Sequence, residues 1–123
     1  MFELVFSKVF DEDIDSSYNY IMDILESPMA ASSLMKELSK KLNYLEEKPY
    51  SRPLVKDKFL ASFGIRSIRV KNYIVFYIIE EKNNKKNANI LRFIYGKRDW
   101  MNILKEEPIK EITPVQGRSA INS

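Results

Sequence analysis

Lys97 and Arg98 stand directly after Gly96, outside any apolar pattern, and are the side chains with the least role in packing and the most freedom for chemistry. Four of the further cations in this half of the chain alternate with apolar residues: Arg66, Arg69 and Lys71, interleaved with Ile68 and Val70, and Arg92, between Ile90 and Ile94. Guanidinium and ammonium groups hold phosphates and carboxylates and stabilise charge building up on a phosphorane, while a phenol such as Tyr95 can carry a proton. The missing residue types narrow the chemistry. With no histidine and no cysteine among 123 residues, imidazole general bases, Ser-His-Asp schemes, thiol nucleophiles, disulfides and thiolate-held zinc or iron-sulfur centres are excluded. Asp11, Glu12, Asp13 and Asp15 have metal-ligand chemistry, but they open a helical pattern, where negative side chains complement the helix dipole. No metal and no cofactor is expected.

Each of these residues also has a plain structural explanation. Arg69 and Lys71 alternate with apolar residues and fit the solvated face of a sheet. Arg92 shares a strand face with Ile90 and Ile94, where a lone charge is costly, so an acidic partner or water must meet it. Tyr95 and Trp100, at a strand end, fit packing better than base stacking. The charge distribution weighs the other way. Net charge is only +3, yet residues 1–26 hold one Lys against seven acids, a local −6, and residues 52–98 hold twelve Lys or Arg against three acids, a local +9. The basic half is a candidate surface for nucleic acid or an acidic protein segment.

These residues need a scaffold, and hydrophobic periodicity outlines it. Phe2 to Ser7 (FELVFS) is short, aromatic and β-branched, as a first strand should be. Ile14, Tyr18, Ile21 and Leu25 recur at three- and four-residue steps and predict a helix with that stripe in the core. Ser27-Pro28 breaks and restarts the pattern, with Ser as N-cap and Pro in the first turn of a second helix reaching about Glu47. Its inward face is Ala31, Leu34, Leu38, Leu42 and Leu45, and its outward face carries Lys36, Glu37, Lys40 and Lys41. Pro49 and Arg52-Pro53 end the helix, and the stretch to Gly64 reads as a loop pinned to the core by Leu54, Phe59, Leu60 and Phe63.

From Ile65 the period becomes two. Arg66 to Lys71 forms a strand, Asn72 a tight turn, and Tyr73 to Glu80 (YIVFYIIE) a central strand, apolar on both faces. Glu81 to Asn87 is a polar hairpin loop, Asn89 to Tyr95 the next strand, and Asp99 the cap of a short helix with Trp100, Ile103 and Leu104 inward. The order βααβββα is α+β: a helical hairpin packed on a small, mostly antiparallel sheet, in one domain over residues 1–105. Residues 106–123 lose periodicity, contain two prolines and read as an extended or disordered tail. A hydrophobic fraction of 45% supports one packed core. The amino terminus lacks the basic region and apolar run of a signal peptide, and no apolar run approaches the ~20 residues of a membrane span, so a cytoplasmic protein is expected.

The segment RSIRVKNYIVFYIIEEKNNKKNANILRFIYGKRDW, residues 66–100, resembles the three-strand meander of the RelE/ParE superfamily of toxins from bacterial type II toxin-antitoxin systems. In that superfamily a basic strand, a turn, a Y-[LI]-[VI]-F-Y strand, a polar hairpin, a strand ending in Gly and an R-D-[WY] segment succeed one another. Here the last parts are Tyr73-Ile74-Val75-Phe76-Tyr77, Ile90 to Tyr95, Gly96 and Arg98-Asp99-Trp100, and the resemblance covers roughly residues 2–105. It implies a growth-arresting protein neutralised by a cognate antitoxin, with two branches. RelE-like members cleave mRNA on the ribosome; ParE-like members block DNA gyrase and are not known to catalyse anything.

In RelE-like toxins an arginine follows the tyrosine that opens the second meander strand, and a tyrosine lies late in the terminal helix. The matching positions here are Ile74 and about Leu104. Arg69 and Arg98 carry over, and Tyr95 is the phenol available if the chain is a metal-independent endoribonuclease. Aliphatic residues at two of the four positions place the chain closer to the ParE-like branch. The resemblance then implies a non-catalytic gyrase inhibitor whose target-binding residues are Arg66, Arg69, Lys71, Arg92, Lys97 and Arg98. A ribosome-dependent ribonuclease and a non-toxic binding module of the same fold stay as alternatives. The expected partner is an antitoxin with an acidic, amphipathic tail drawn to the basic half.

Overall fold

The computed structural model describes residues 1–108, so the tail expected over 106–123 lies, from 109 on, outside the described residues. Strand β1 (Glu3–Phe6) leads into helix α1 (Lys8–Asn19), which starts where the Ser7 hydroxyl accepts a 2.9 Å hydrogen bond from the Phe10 amide. The helix continues as one wider π-helical turn, Tyr20–Ile24. Glu26, at φ 50, reverses the chain, and Ser27 caps α2 (Pro28–Glu47) by accepting from the Ala30 amide. A short helix, α3 (Lys58–Ala61), precedes the meander β2 (Ile65–Val70), β3 (Tyr73–Lys82) and β4 (Lys85–Tyr95), and α4 (Trp100–Glu106) follows Asp99. The four strands make one mixed sheet in the order β1-β4-β3-β2, with β1 parallel to β4 and the other neighbours antiparallel.

Strand β3 is apolar on both faces because both are covered. On one side Val75 and Tyr77 meet Phe10, Ile21, Ala31, Leu34, Leu38 and Leu45 of the helical hairpin. On the other, Ile74, Phe76 and Ile78 meet Leu60, Phe63 and Leu104. Two parts of the expected core lie elsewhere. Tyr18 and Leu25 are 40% and 54% exposed, and Phe10 is buried in their stead. The stripe assumed a regular helix, but the Leu25 amide donates to the Tyr20 carbonyl five residues back, and this wide turn carries Leu25 outward. In the stretch read as a loop, the Asp57 carboxylate accepts from the Leu60 amide and starts α3. That helical turn points Leu60 inward and Phe59 outward, so Phe59 and Leu54 are exposed and Val55 takes a core position.

The turns also differ from expectation. Lys71, read as the last strand residue, adopts φ 55 and belongs to the turn with Asn72. The second hairpin is far tighter than the polar run suggests: β3 and β4 pair down to Lys82 and Lys85, leaving Asn83 and Asn84 at φ 54 and 67. Two consecutive left-handed residues match the right-handed twist of a hairpin, and asparagine tolerates them. Polar residues hid the strands because this end of the sheet is solvated and held by pairs such as Glu81 opposite Lys86.

Arg92 sits at a β-bulge. Phe76 pairs with Arg92 but Tyr77 with Ile90, so Leu91 is extra, and Ile90 and Ile94 fall on opposite faces rather than sharing one with Arg92. The Ser7 hydroxyl donates to the bulged Leu91 carbonyl at 2.7 Å. The Arg92 guanidinium grips both Asp13 carboxylate oxygens at 2.8 and 3.0 Å, and Asp13 also accepts from the Phe93 amide at 2.9 Å. Asp13, grouped by sequence with the dipole-complementing acids, instead clamps α1 to β4.

Tyr77, fully buried, donates its hydroxyl to the Pro49 carbonyl at 2.6 Å. Burial pushes its pKa from 10.0 up to about 12, against a smaller opposing pull from Arg66 and Arg52. A folded-state value above the unfolded one means the contribution to stability is intact below pH 10 and is lost as pH rises through 12. Tyr77→Phe should therefore cost about 1 kcal/mol at neutral pH and lessen the loss of stability in that alkaline window. Urea unfolding at pH 8 and at pH 11 checks both.

Candidate functional site

The far end of the sheet, where the β2–β3 turn meets the end of β4, gathers four of the six cations singled out by sequence. The Gly96 amide donates to the Asn72 carbonyl at 2.8 Å and ties the two segments together. The Arg69 guanidinium lies over Gly96, where a Cβ would stand 3.4 Å from Arg69 Nη1 and 3.1 Å from the Asn72 carbonyl oxygen. Arg69 Nη1 also donates to the Lys71 carbonyl at 3.4 Å. Lys71 projects from its left-handed turn position into solvent, and Lys97 and Arg98 are exposed on the segment leaving β4. The nearest acids are already engaged. Asp99 caps α4, accepting from the Asn102 amide and side chain, and Asp13 is held by Arg92.

Arg66 and Arg92 lie apart from this group. Arg66 pairs across strands with Tyr77 on the hairpin side of the sheet, stacks 5.3 Å over the Tyr50 ring and donates to the Arg52 carbonyl. Tyr50 in turn donates to Glu81, and this hydrogen bond raises its pKa, with burial adding to the shift. Arg92 is committed to Asp13 and to the Glu107 carbonyl at 2.9 Å. Both arginines hold the fold.

Between the helical hairpin and this sheet end runs a cleft of about 760 Å³, lined by Tyr20, Leu25, Tyr73, Tyr95, Lys71 and Arg98 among others. Sequence reading missed Tyr20 and Tyr73 as cleft residues, since the π-helical turn that presents Tyr20 leaves no mark in the hydrophobic pattern. Arg69 and Tyr95 fall on opposite faces, because Arg69 pairs with Ile74 and Tyr95 with Tyr73, which belong to different core clusters. Ile74 and Leu104 are both buried beside Phe76 and Trp100. Among the described residues no group of three or more acids is placed to hold a metal ion, and no helix is long and apolar enough to cross a membrane.

A sequence model of the ParE toxin of type II toxin-antitoxin systems, parDE, matches residues 4–100. The chain belongs to the ParE toxin family. It is thus a toxin of the RelE/ParE superfamily, ParE-like, and its family works with an antitoxin partner. The fold is similar to a solved structure of the chromosomal ParDE TA system from P. aeruginosa, with a TM-score of 0.61 and 15% identity over 77% of this chain and 96% of that one. It is also similar to the YoeB/ParE toxin from Agrobacterium tumefaciens, with a TM-score of 0.53 and 10% identity over 76% and 97% of the two chains. No match is found among curated proteins. The described α+β architecture is that of the RelE/ParE-like toxins.

Proposed function

We propose that this ParE-family toxin arrests growth by binding and poisoning DNA gyrase, not by cutting RNA. The observation that carries the reading is the burial of Ile74 and Leu104, the positions of the RelE-like arginine and tyrosine, in one apolar cluster. Cleavage at a ribose 2′-OH needs a base, an acid and a charge stabiliser. Guanidinium groups supply only the last, because they stay protonated at any physiological pH. Tyr95 lines the cleft with Arg98 but is on the opposite sheet face from Arg69, so the phenol and the two arginines do not share one face. Exposed cations at one sheet end, with no carboxylate partner among the described residues, suit binding to an acidic target surface. Induced expression should stop growth and raise DNA-damage signalling in the cytoplasm. Normal growth with soluble protein contradicts a toxin, and transcript ends mapped within codons contradict the choice of gyrase.

The antitoxin we expect carries an acidic tail with interspersed Leu or Val. Strand β1 is an edge whose outer side is unpaired among the described residues, beside a groove of about 600 Å³ lined by Phe2, Leu4 and Leu42. An extended peptide can add to that edge while acids seek the basic end. Association should slow steeply as ionic strength rises from 50 to ~300 mM, as electrostatic steering is screened. A rate indifferent to salt in stopped-flow mixing would mean that the antitoxin does not use the basic half.

A further inference from the structure

We infer that the basic sheet end formed by Arg69, Lys71, Lys97 and Arg98 is a site for nucleic-acid phosphates, and that it takes the backbone of duplex DNA. The identity of that duplex as the DNA held by gyrase rests on the reading above; the phosphate chemistry does not. Several cations elsewhere have partners: Arg92 with Asp13, Lys105 with Asp57 at 3.7 Å, Lys41 with Glu37 at 3.8 Å, Arg66 over Tyr50 and Lys86 over Phe2. At this end four cations converge on one turn and one strand terminus with no carboxylate partner among the described residues, because Asp99 and Asp13 serve the backbone and Arg92. Like charges held close repel, and an arriving polyanion relieves that repulsion and releases its own counterions.

Two features prepare the site. The Arg69 guanidinium lies over Gly96 at the strand end, and its Nη1 donates to the Lys71 carbonyl at 3.4 Å. Lys71, exposed at a left-handed turn position, lines the cleft together with Arg98. A single strand would want bare aromatic faces on which to stack bases. The sheet aromatics here are covered: Tyr73 stacks on Phe93 at 4.7 Å and meets Tyr95 edge-on, and Trp100 packs on Phe76. Tyr20 is the one half-exposed ring in the cleft, and four cations beside a single such ring, rather than a row of stacking platforms, favour the regular phosphate rows of a duplex.

The test is fluorescence anisotropy of a labelled 20-base-pair duplex with the whole 123-residue chain, titrated across salt concentrations. Four phosphate contacts predict a slope of log K against log salt of about −3.6, so affinity should fall on the order of 10²-fold between 50 and 200 mM. Lys97→Ala with Arg98→Ala should make the slope shallower by about 2. Lys85→Ala with Lys86→Ala, at the other end of β4, removes the same charge and should leave the slope unchanged. Absence of binding at 50 mM, equal loss from the two pairs, or tighter binding of a single-stranded RNA of equal length overturns the inference. Duplex binding as described without gyrase inhibition supports the phosphate site and contradicts the gyrase reading; gyrase inhibition without duplex binding does the reverse.

Discussion

Asp13→Ala should lower the stability of the fold by about 3 kcal/mol, because it leaves a nearly buried guanidinium without its anion. The side chains of Arg92 and Asp13 are only 12% and 14% exposed, and the same carboxylate accepts the Phe93 amide where β4 resumes its register after the bulge. Removal therefore strands a charge and a backbone donor together. For a chain of this size, the loss corresponds to a melting temperature lower by roughly 10 °C. Asp13→Asn keeps an acceptor for Phe93 and should fall between the two. Thermal melts followed by circular dichroism decide it: an Asp13→Ala midpoint within about 2 °C of the parent would make the contact an ordinary surface ion pair.

Much of this architecture was legible because its signals are local. Ser27-Pro28 marks the start of α2, Asp99 caps α4, and the alternation after Ile65 marks the meander, each through a mechanism confined to a few residues. What escaped the sequence depends on deviations from regular geometry. The π-helical turn at Tyr20–Ile24 rotates Leu25 out of the core, and the bulge at Leu91 separates Ile90 from Ile94, so periodicity across either misassigns a face. The same limit governs the site. Sequence marked six cations, but only topology separates the four at the sheet end from Arg66, which braces Tyr50, and Arg92, which answers Asp13 from 79 positions away.

Lys97→Ala combined with Arg98→Ala should abolish growth arrest while leaving the fold intact. Both side chains are exposed and neither makes an ion pair among the described residues, so stability should change by no more than about 0.5 kcal/mol per site. Two charge-assisted hydrogen bonds to a target, at about 1.5 kcal/mol each, correspond to a weakening on the order of 10²-fold. Arg69→Ala should weaken toxicity as well. Arg66→Ala should instead lower stability by loosening the Tyr50 and Arg52 contacts and leave toxicity in place at permissive temperature. Induced expression of the variants, with soluble protein quantified in parallel, separates these cases. Full toxicity of the double variant at unchanged expression would return Lys97 and Arg98 to the solvated surface.

The action of the purified toxin on gyrase decides between the two branches. Relaxed plasmid incubated with gyrase, ATP and increasing toxin should stay unsupercoiled or accumulate cleaved DNA, the Lys97→Ala, Arg98→Ala protein should be inert, and translated mRNA treated in parallel should remain whole. Normal supercoiling at saturating toxin, together with cuts in ribosome-bound mRNA, would contradict it.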